Sequence, residues 1–303
     1  MVKRSMERKH KFDGTYTALV TPFRQGKLDA KCFRRLIELQ VRGGVDGLVP
    51  VGTTGESPVL DYSEHIEVIK QTVDLVRGRV KVLAGTGGNS TKEAIFLTQA
   101  AEAAGADGSL QVAPYYNKPT QEGLFQHFAR IARETQLPII LYSIPGRCGI
   151  EIGVETVRRL RDACPNIIGI KEAGGTPDRV SQIRAVLGSK FTILAGDDSL
   201  TLPFMAVGAT GVVSVASNII PRAVSQMVSA FAAGKIAVAQ KLHHRYYPLF
   251  KDLFIETNPI PIKAALAMMG EIEEEYRLPL VPMSPQNRKQ LADTLRASGL
   301  LRR

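Results

Sequence analysis

The chain has 303 residues, 44% of them hydrophobic and 22% charged, and Lys plus Arg outnumber Asp plus Glu by ten. This is ordinary globular composition. It offers no run of about 18 apolar residues for a membrane span, no apolar core for a secretory signal at the N-terminus, and no basic stripe with interleaved aromatics for nucleic acid.

Residues 1–11 hold the only local basic cluster (Lys3, Arg4, Arg8, Lys9, Lys11) and read as a disordered lead-in. The three cysteines, Cys32, Cys148 and Cys164, are far apart and form no C-x-x-C pair, so they read as reduced thiols of a cytoplasmic protein.

From residue 12 onward a rhythm sets in. A short β-branched run leads to a Gly- or Pro-containing turn and then to an amphipathic stretch. The runs fall at 15–20, 47–51, 80–84, 108–113, 138–142, 167–171, 191–195 and 211–215. They lack strict alternation, which predicts strands covered on both faces, as in a parallel sheet. Pro50 is awkward in the second run because it removes a ladder donor. Between the runs, Asp29 is placed to N-cap a helix with Phe33, Leu36, Ile37 and Val41 on one face. Ile66, Ile69, Val73 and Val76 predict a second such face. Ser90 and Glu93 have capping-box spacing ahead of Ala94, Leu97, Ala101 and Ala104.

Eight strands alternating with helices favour a closed (β/α)₈ barrel, although an open doubly wound sheet can also hold eight. After Pro221 the strand signals stop. Helices are expected at 221–232, 235–250, 260–269 and 285–297, with Pro279, Pro282 and Pro285 marking an extended connector. The expected organisation is therefore an α/β TIM barrel over 12–225 carrying the active site and a C-terminal helical domain over 226–303.

In such barrels the active site lies at the C-terminal strand ends. The second strand runs into Gly52-Thr53-Thr54-Gly55-Glu56, the fourth into Pro114-Tyr115-Tyr116-Asn117, the fifth from Tyr142 into Ser143-Ile144-Pro145-Gly146-Arg147, and the sixth ends at Lys171. Lys171 closes an apolar run; a lysine entering a barrel interior loses hydration, which favours the neutral amine that attacks carbonyls. The competing reading is a snorkelling lysine or one paired with Glu172. Tyr142 can shuttle protons or be a core tyrosine with a satisfied hydroxyl. Gly52 and the residues after it can present N–H groups and two hydroxyls to a carboxylate, and Arg147 can clamp a second carboxylate or lie on the surface. Five histidines (His10, His65, His127, His243, His244) show no zinc spacing, so no metal site is expected. Gly85-Thr86-Gly87-Gly88 lacks the Lys and Ser/Thr of a P-loop and reads as a tight turn.

These residues, together with Pro114-Tyr115-Tyr116-Asn117-Lys118-Pro119, Gly169-Ile170-Lys171-Glu172-Ala173 and Asn258-Pro259-Ile260-Pro261-Ile262-Lys263, resemble the dihydrodipicolinate synthase (4-hydroxy-tetrahydrodipicolinate synthase) family, within the N-acetylneuraminate lyase superfamily of pyruvate-dependent class I aldolases. The resemblance covers nearly everything after residue 12. It implies a Schiff-base lyase of lysine and diaminopimelate biosynthesis that joins pyruvate to L-aspartate 4-semialdehyde. It implies Lys171 as imine former and Tyr142, Thr53 and Tyr116 as a proton relay, Tyr116 reaching in from a neighbouring subunit of a homo-oligomer built as a dimer of dimers. Thr54, with the Gly52 turn, would hold the pyruvate carboxylate, Arg147 would receive the carboxylate of the aldehyde, and Val213 would line the pyruvate pocket. No cofactor is implied, since the imine is itself the electron sink. Ser57, Tyr62, His65, Asn89, Glu93 and Tyr115 fall where lysine-inhibited members bind L-lysine; Glu93 and His65 also suit purely structural helix roles.

The chain departs from the family at Ser143, usually Asn, and at Cys148, usually Thr or Ser, which raises the idea of a reactive thiol beside Arg147. The rival functions are another pyruvate-dependent aldolase or dehydratase of the same superfamily, of sialic-acid or 2-keto-3-deoxy sugar-acid type, and a catalytically silent ligand-binding barrel. Arg147 argues against the former and the Tyr142, Thr53 and Lys171 set against the latter.

Overall fold

The computed structural model describes residues 11–301, so most of the basic lead-in lies outside it. The eight apolar runs become parallel strands: β1 (Gly14–Ala18), β2 (Gly47–Val49), β3 (Lys81–Gly85), β4 (Gly108–Val112), β5 (Ile139–Ser143), β6 (Ile167–Glu172), β7 (Thr192–Ala195) and β8 (Gly211–Ser214). They close into one barrel, β8 pairing with β1 and β1 with β2. The open sheet is thereby excluded. Pro50 causes no conflict, because β2 ends at Val49 and the proline begins the loop that follows.

The helices wrap the barrel, which is why the strands are apolar on both faces. These are α1 (Ala30–Gly43), α2 (Tyr62–Val76), α3 (Thr91–Ala103), α4 (Gln121–Arg133), a one-turn α5 (Pro145–Cys148), α6 (Val154–Ala163), α7 (Pro177–Leu187), α8 (Thr201–Ala206) and α9 (Pro221–Ala232). Asp29 caps α1 by accepting from Cys32 N at 2.9 Å, and Phe33, Leu36 and Ile37 are buried as expected while Val41 is half-buried. The inward face of α2 is rotated from the expected one. His65, Val68, Ile69, Thr72 and Val76 are buried, whereas Ile66 and Val73 are half-buried. The complete capping box sits at α2. Asp61 accepts from Glu64 N at 2.8 Å and Glu64 accepts from Asp61 N at 3.1 Å. At α3 Ser90 caps by accepting from Glu93 N at 3.4 Å, and Glu93 points its carboxylate past Gly88 instead.

Three more helices, α10 (Ile236–Asp252), α11 (Ile260–Met268) and α12 (Pro285–Ala297), complete the chain. The expected boundary at 225/226 falls inside α9, which packs on β1 and α1 as a barrel helix. The later helices share the barrel's core: Leu249, Phe250, Ile262, Leu266 and Leu291 are buried in one apolar cluster with Tyr142 and Ile170.

One fully buried ionic contact ties the two parts together, beside the more exposed pairs Arg277–Glu64, Arg35–Glu271 and Arg24–Glu273. Lys263 on α11 and Glu56, just beyond the β2 loop, are both buried and form a close salt bridge. Glu56 also accepts from Arg277 N at 3.2 Å. Replacing Lys263 by Met keeps most of the volume but strands a buried carboxylate, so urea unfolding should show a loss of about 3–5 kcal/mol. A loss under about 1 kcal/mol, the scale of an exposed pair, would mean that water reaches Glu56.

Candidate active site

At the C-terminal mouth of the barrel lies a cavity of about 280 Å³. Its wall includes Gly52, Thr53, Thr54, Tyr142, Arg147 and Lys171, so the strand ends converge as expected. Strand register explains the central pair. Tyr142 on β5 stands directly opposite Lys171 on β6, and the Lys171 Nζ lies 3.9 Å from the centre of the Tyr142 ring.

Alternation along β6 sends Lys171 inward and Glu172 outward. The two therefore do not pair. Glu172 accepts from Gly174 N at 2.6 Å and meets Arg179 of α7 at 3.4 Å. The same alternation turns Ser143 away from the cavity, where its hydroxyl accepts from Ile152 N at 3.4 Å.

The electrostatics favour a neutral amine. Burial, reinforced by the Arg147 charge and opposed by Asp198, lowers Lys171 from 10.5 to about 7. Asp198 is itself buried, accepting from Ser214 Oγ and from the N–H groups of Val215 (2.9 Å) and Ala216 (3.0 Å). Burial raises it to about 6 in spite of these donors. Tyr142 is pushed well above its ordinary value by burial, against the pull of Arg147 and of a hydrogen bond with the Thr53 side chain. A protonated phenol linked to a hydroxyl, beside a neutral amine, is suited to proton transfer around a carbonyl carbon.

The β2 loop is tightly wound. Val51 has φ +49° and Glu56 φ +56°, unfavourable values for a β-branched residue and for a carboxylate side chain. They flank a turn in which Gly55 N donates to Gly52 O at 3.0 Å. Gly85 permits the loop to lie this close, since a Cβ there would sit 2.6 Å from Val51 O. Arg147 rides on α5, and its Nη2 donates to Asn258 O at 3.1 Å.

Val213 is buried but is not part of the cavity wall; Val215, just past the end of β8, lines it. Tyr116 is 90% exposed, held at φ +71° and outside the cavity of its own chain, a position that leaves its expected role in a neighbouring subunit open. Cys148 lies in the wall but is no reactive thiolate, for burial pushes it up to about 11 and its Sγ donates to Ala113 O at 3.1 Å.

Of the candidate effector residues, Ser57 and Tyr115 border the cavity, and Tyr115 is close enough to Glu93 and Tyr62 for both to raise its phenol, after burial. Asn89 donates to Tyr115 O at 3.3 Å. Tyr62 is half exposed and its ring centre lies 5.6 Å from that of Phe96. His65 stands apart, since its Nε2 donates to Gly85 O at 2.8 Å and its buried ring supports the β3 end. Sequence reasoning assigned no role to Phe254 and Asn258, which enter the wall from outside the barrel. The Asn258-to-Lys263 motif was a signal for them, but no strand-end rule points there.

Because the amine is neutral above about pH 7, labelling of Lys171 by acetic anhydride should rise through that pH and then level off, followed by mass spectrometry of the peptide. A midpoint near 10.5 would show a hydrated, ordinary lysine.

The sequence profile described as the dihydrodipicolinate synthetase family matches residues 11–298. The 4-hydroxy-tetrahydrodipicolinate synthase of Oleidesulfovibrio alaskensis is 52% identical over 290 residues, covering 96% of this chain and 99% of that protein. Among solved structures, the 4-hydroxy-tetrahydrodipicolinate synthase of the methanotroph Methylacidiphilum fumariolicum SolV superposes with a TM-score of 0.95 at 57% identity, covering 95% of this chain and 96% of that one. The synthase of Cyanidioschyzon merolae, solved with lysine bound, superposes with a TM-score of 0.93 at 42% identity, covering 96% and 99%.

Proposed function

The chain belongs to the dihydrodipicolinate synthetase family, and on that premise we propose that it is a 4-hydroxy-tetrahydrodipicolinate synthase, condensing pyruvate with L-aspartate 4-semialdehyde. The observation that carries this reading is the buried Lys171 amine, its pKa lowered to about 7, lying against Tyr142 with Arg147 in the same wall.

Lys171 attacks the keto carbon of pyruvate, whose carboxylate is held by Thr54 and the Gly52 turn. Loss of one water gives the imine, and loss of a methyl proton gives the enamine. The enamine carbon then adds to the aldehyde carbon, and the aldehyde oxygen takes a proton to become the product hydroxyl. Arg147 receives the carboxylate of the semialdehyde. The amino group of the semialdehyde finally displaces Lys171 and closes the ring, restoring the free amine.

Tyr142 and Thr53 carry the protons through their shared hydrogen bond. Tyr116, directed away from its own cavity, supplies its hydroxyl to a neighbouring subunit, so the working form is a homo-oligomer, built as a dimer of dimers. L-lysine acts as effector at Glu93, Tyr115, Asn89, Ser57 and Tyr62, a reading supported by the lysine-bound relative. No described helix is long and apolar enough to cross a membrane.

In a coupled assay with pyruvate, aspartate semialdehyde and the downstream reductase, turnover is expected and should fall by about 10³-fold or more in Lys171→Ala. Thr53→Val should lower kcat by about 10²–10⁴-fold with pyruvate binding retained. No turnover in a chain that borohydride still links to pyruvate would move the function to another aldehyde or to a silent binding barrel. Millimolar L-lysine should inhibit the unaltered chain and not Glu93→Ala; equal rates with and without lysine would remove the effector reading.

A further inference from the structure

One residue of the cavity wall touches both carboxylate-binding groups, and it comes from outside the barrel. Asn258 lies between α10 and α11 and is 5% exposed. Its backbone carbonyl accepts from Arg147 Nη2 at 3.1 Å, and its side-chain Nδ2 donates to Thr54 Oγ1 at 3.0 Å. Its Oδ1 is buried with no partner.

Turning the amide over would make Oδ1 accept from the Thr54 hydroxyl and pass the unpartnered position to Nδ2, so one amide atom lacks a partner either way. That alternative would consume the single proton Thr54 has to offer. In the orientation present, Thr54 accepts from Asn258 and its proton stays free. The segment is also held at its other end. Lys263 N donates to Pro259 O at 3.0 Å, and the Lys263 ammonium pairs with Glu56, two residues beyond Thr54. The backbone of 258–263 is thus tied to the β2 loop at two points, and the Asn258 amide sets the polarity of the nearer one.

We propose that Asn258 is a positioning residue that holds the Thr54 hydroxyl as a donor toward the pyruvate carboxylate; this rests on the role given to Thr54 above. The effect is specific to pyruvate. Arg147 is held by the Asn258 main chain, which a side-chain substitution leaves in place.

The test needs pyruvate alone. Borohydride trapping on Lys171 is followed as a function of pyruvate concentration in the unaltered chain, Asn258→Ala, Asn258→Asp, Thr54→Val and the Thr54→Val/Asn258→Ala double variant, with thermal melts as a check on folding. Asn258→Ala should raise the half-saturating pyruvate roughly tenfold, the scale of one charge-assisted hydrogen bond, while the trapping rate at saturation changes less than about threefold. Asn258→Asp keeps the shape but can only accept from Thr54 and adds a negative charge, so it should be at least as impaired. In the Thr54→Val background the second substitution should add nothing.

A merely structural role predicts the reverse: Asn258→Asp near the unaltered chain, and a full further loss in the double variant. Either result overturns the proposal while leaving the imine chemistry intact. Absence of trapping in the unaltered chain, by contrast, would overturn the imine reading and this inference with it.

Discussion

Keeping the Lys171 amine out of water is the constraint on which the rest of the cavity depends. A charged ammonium in a low-dielectric interior is strongly disfavoured, and a neutral amine is tolerated. The barrel achieves this by directing a long side chain inward one residue before the end of β6, among Tyr142, Val215 and the close-packed strand ends. Arg147 in the same wall presses in the same direction, and Asp198 resists it from beneath the β8 end. The balance leaves an amine whose pKa, lowered to about 7, gives a large neutral fraction at physiological pH.

The same burial shapes the partners of the lysine. Tyr142 loses acidity as it loses water, so it keeps its proton, and its hydroxyl shares a hydrogen bond with the Thr53 side chain. Cys148 is affected alike and stays a thiol. Ser143 faces the helices, accepting from Ile152 N, and Cys148 donates to Ala113 O.

A second theme is that the barrel does not finish its own active site. The β2 loop, wound through two unfavourable backbone conformations, is fastened from outside by Lys263 and Asn258. A buried ion pair of this kind contributes little to net stability, because the desolvation of two charges offsets much of their attraction, yet removing one partner alone is costly. The C-terminal helices, which by composition look like an appendage, share the barrel core and supply the wall that meets Arg147.

Much of this was readable along the chain. Continuous apolar runs with turn residues between them dictate parallel strands covered on both faces, and the barrel rule then sends Thr53, Tyr142, Arg147 and Lys171 to one mouth. Local chemistry also sufficed for the Asp29 cap and for the α9 and α12 boundaries. What one-dimensional pattern could not supply was the depth and direction of individual side chains. Val213 lies within β8 and Val215 just past its end, and only the barrel's height decides which lines the cavity. Lys171 and Glu172 are neighbours in sequence and face opposite ways in the sheet. The buried face of α2 departs from its apolar spacing because His65 and Thr72, polar by composition, are buried through hydrogen bonds to Gly85 O and Val68 O. The sequence by itself determined the strand rhythm and brought Lys171, Tyr142 and Arg147 to strand ends as candidates, since these follow from local periodicity and residue chemistry, whereas their roles came only with the family resemblance. The tertiary structure alone decided the lowered Lys171 pKa, the Glu56–Lys263 tie and the reach of Asn258 to Thr54, because each depends on groups up to about two hundred residues apart meeting where water is excluded.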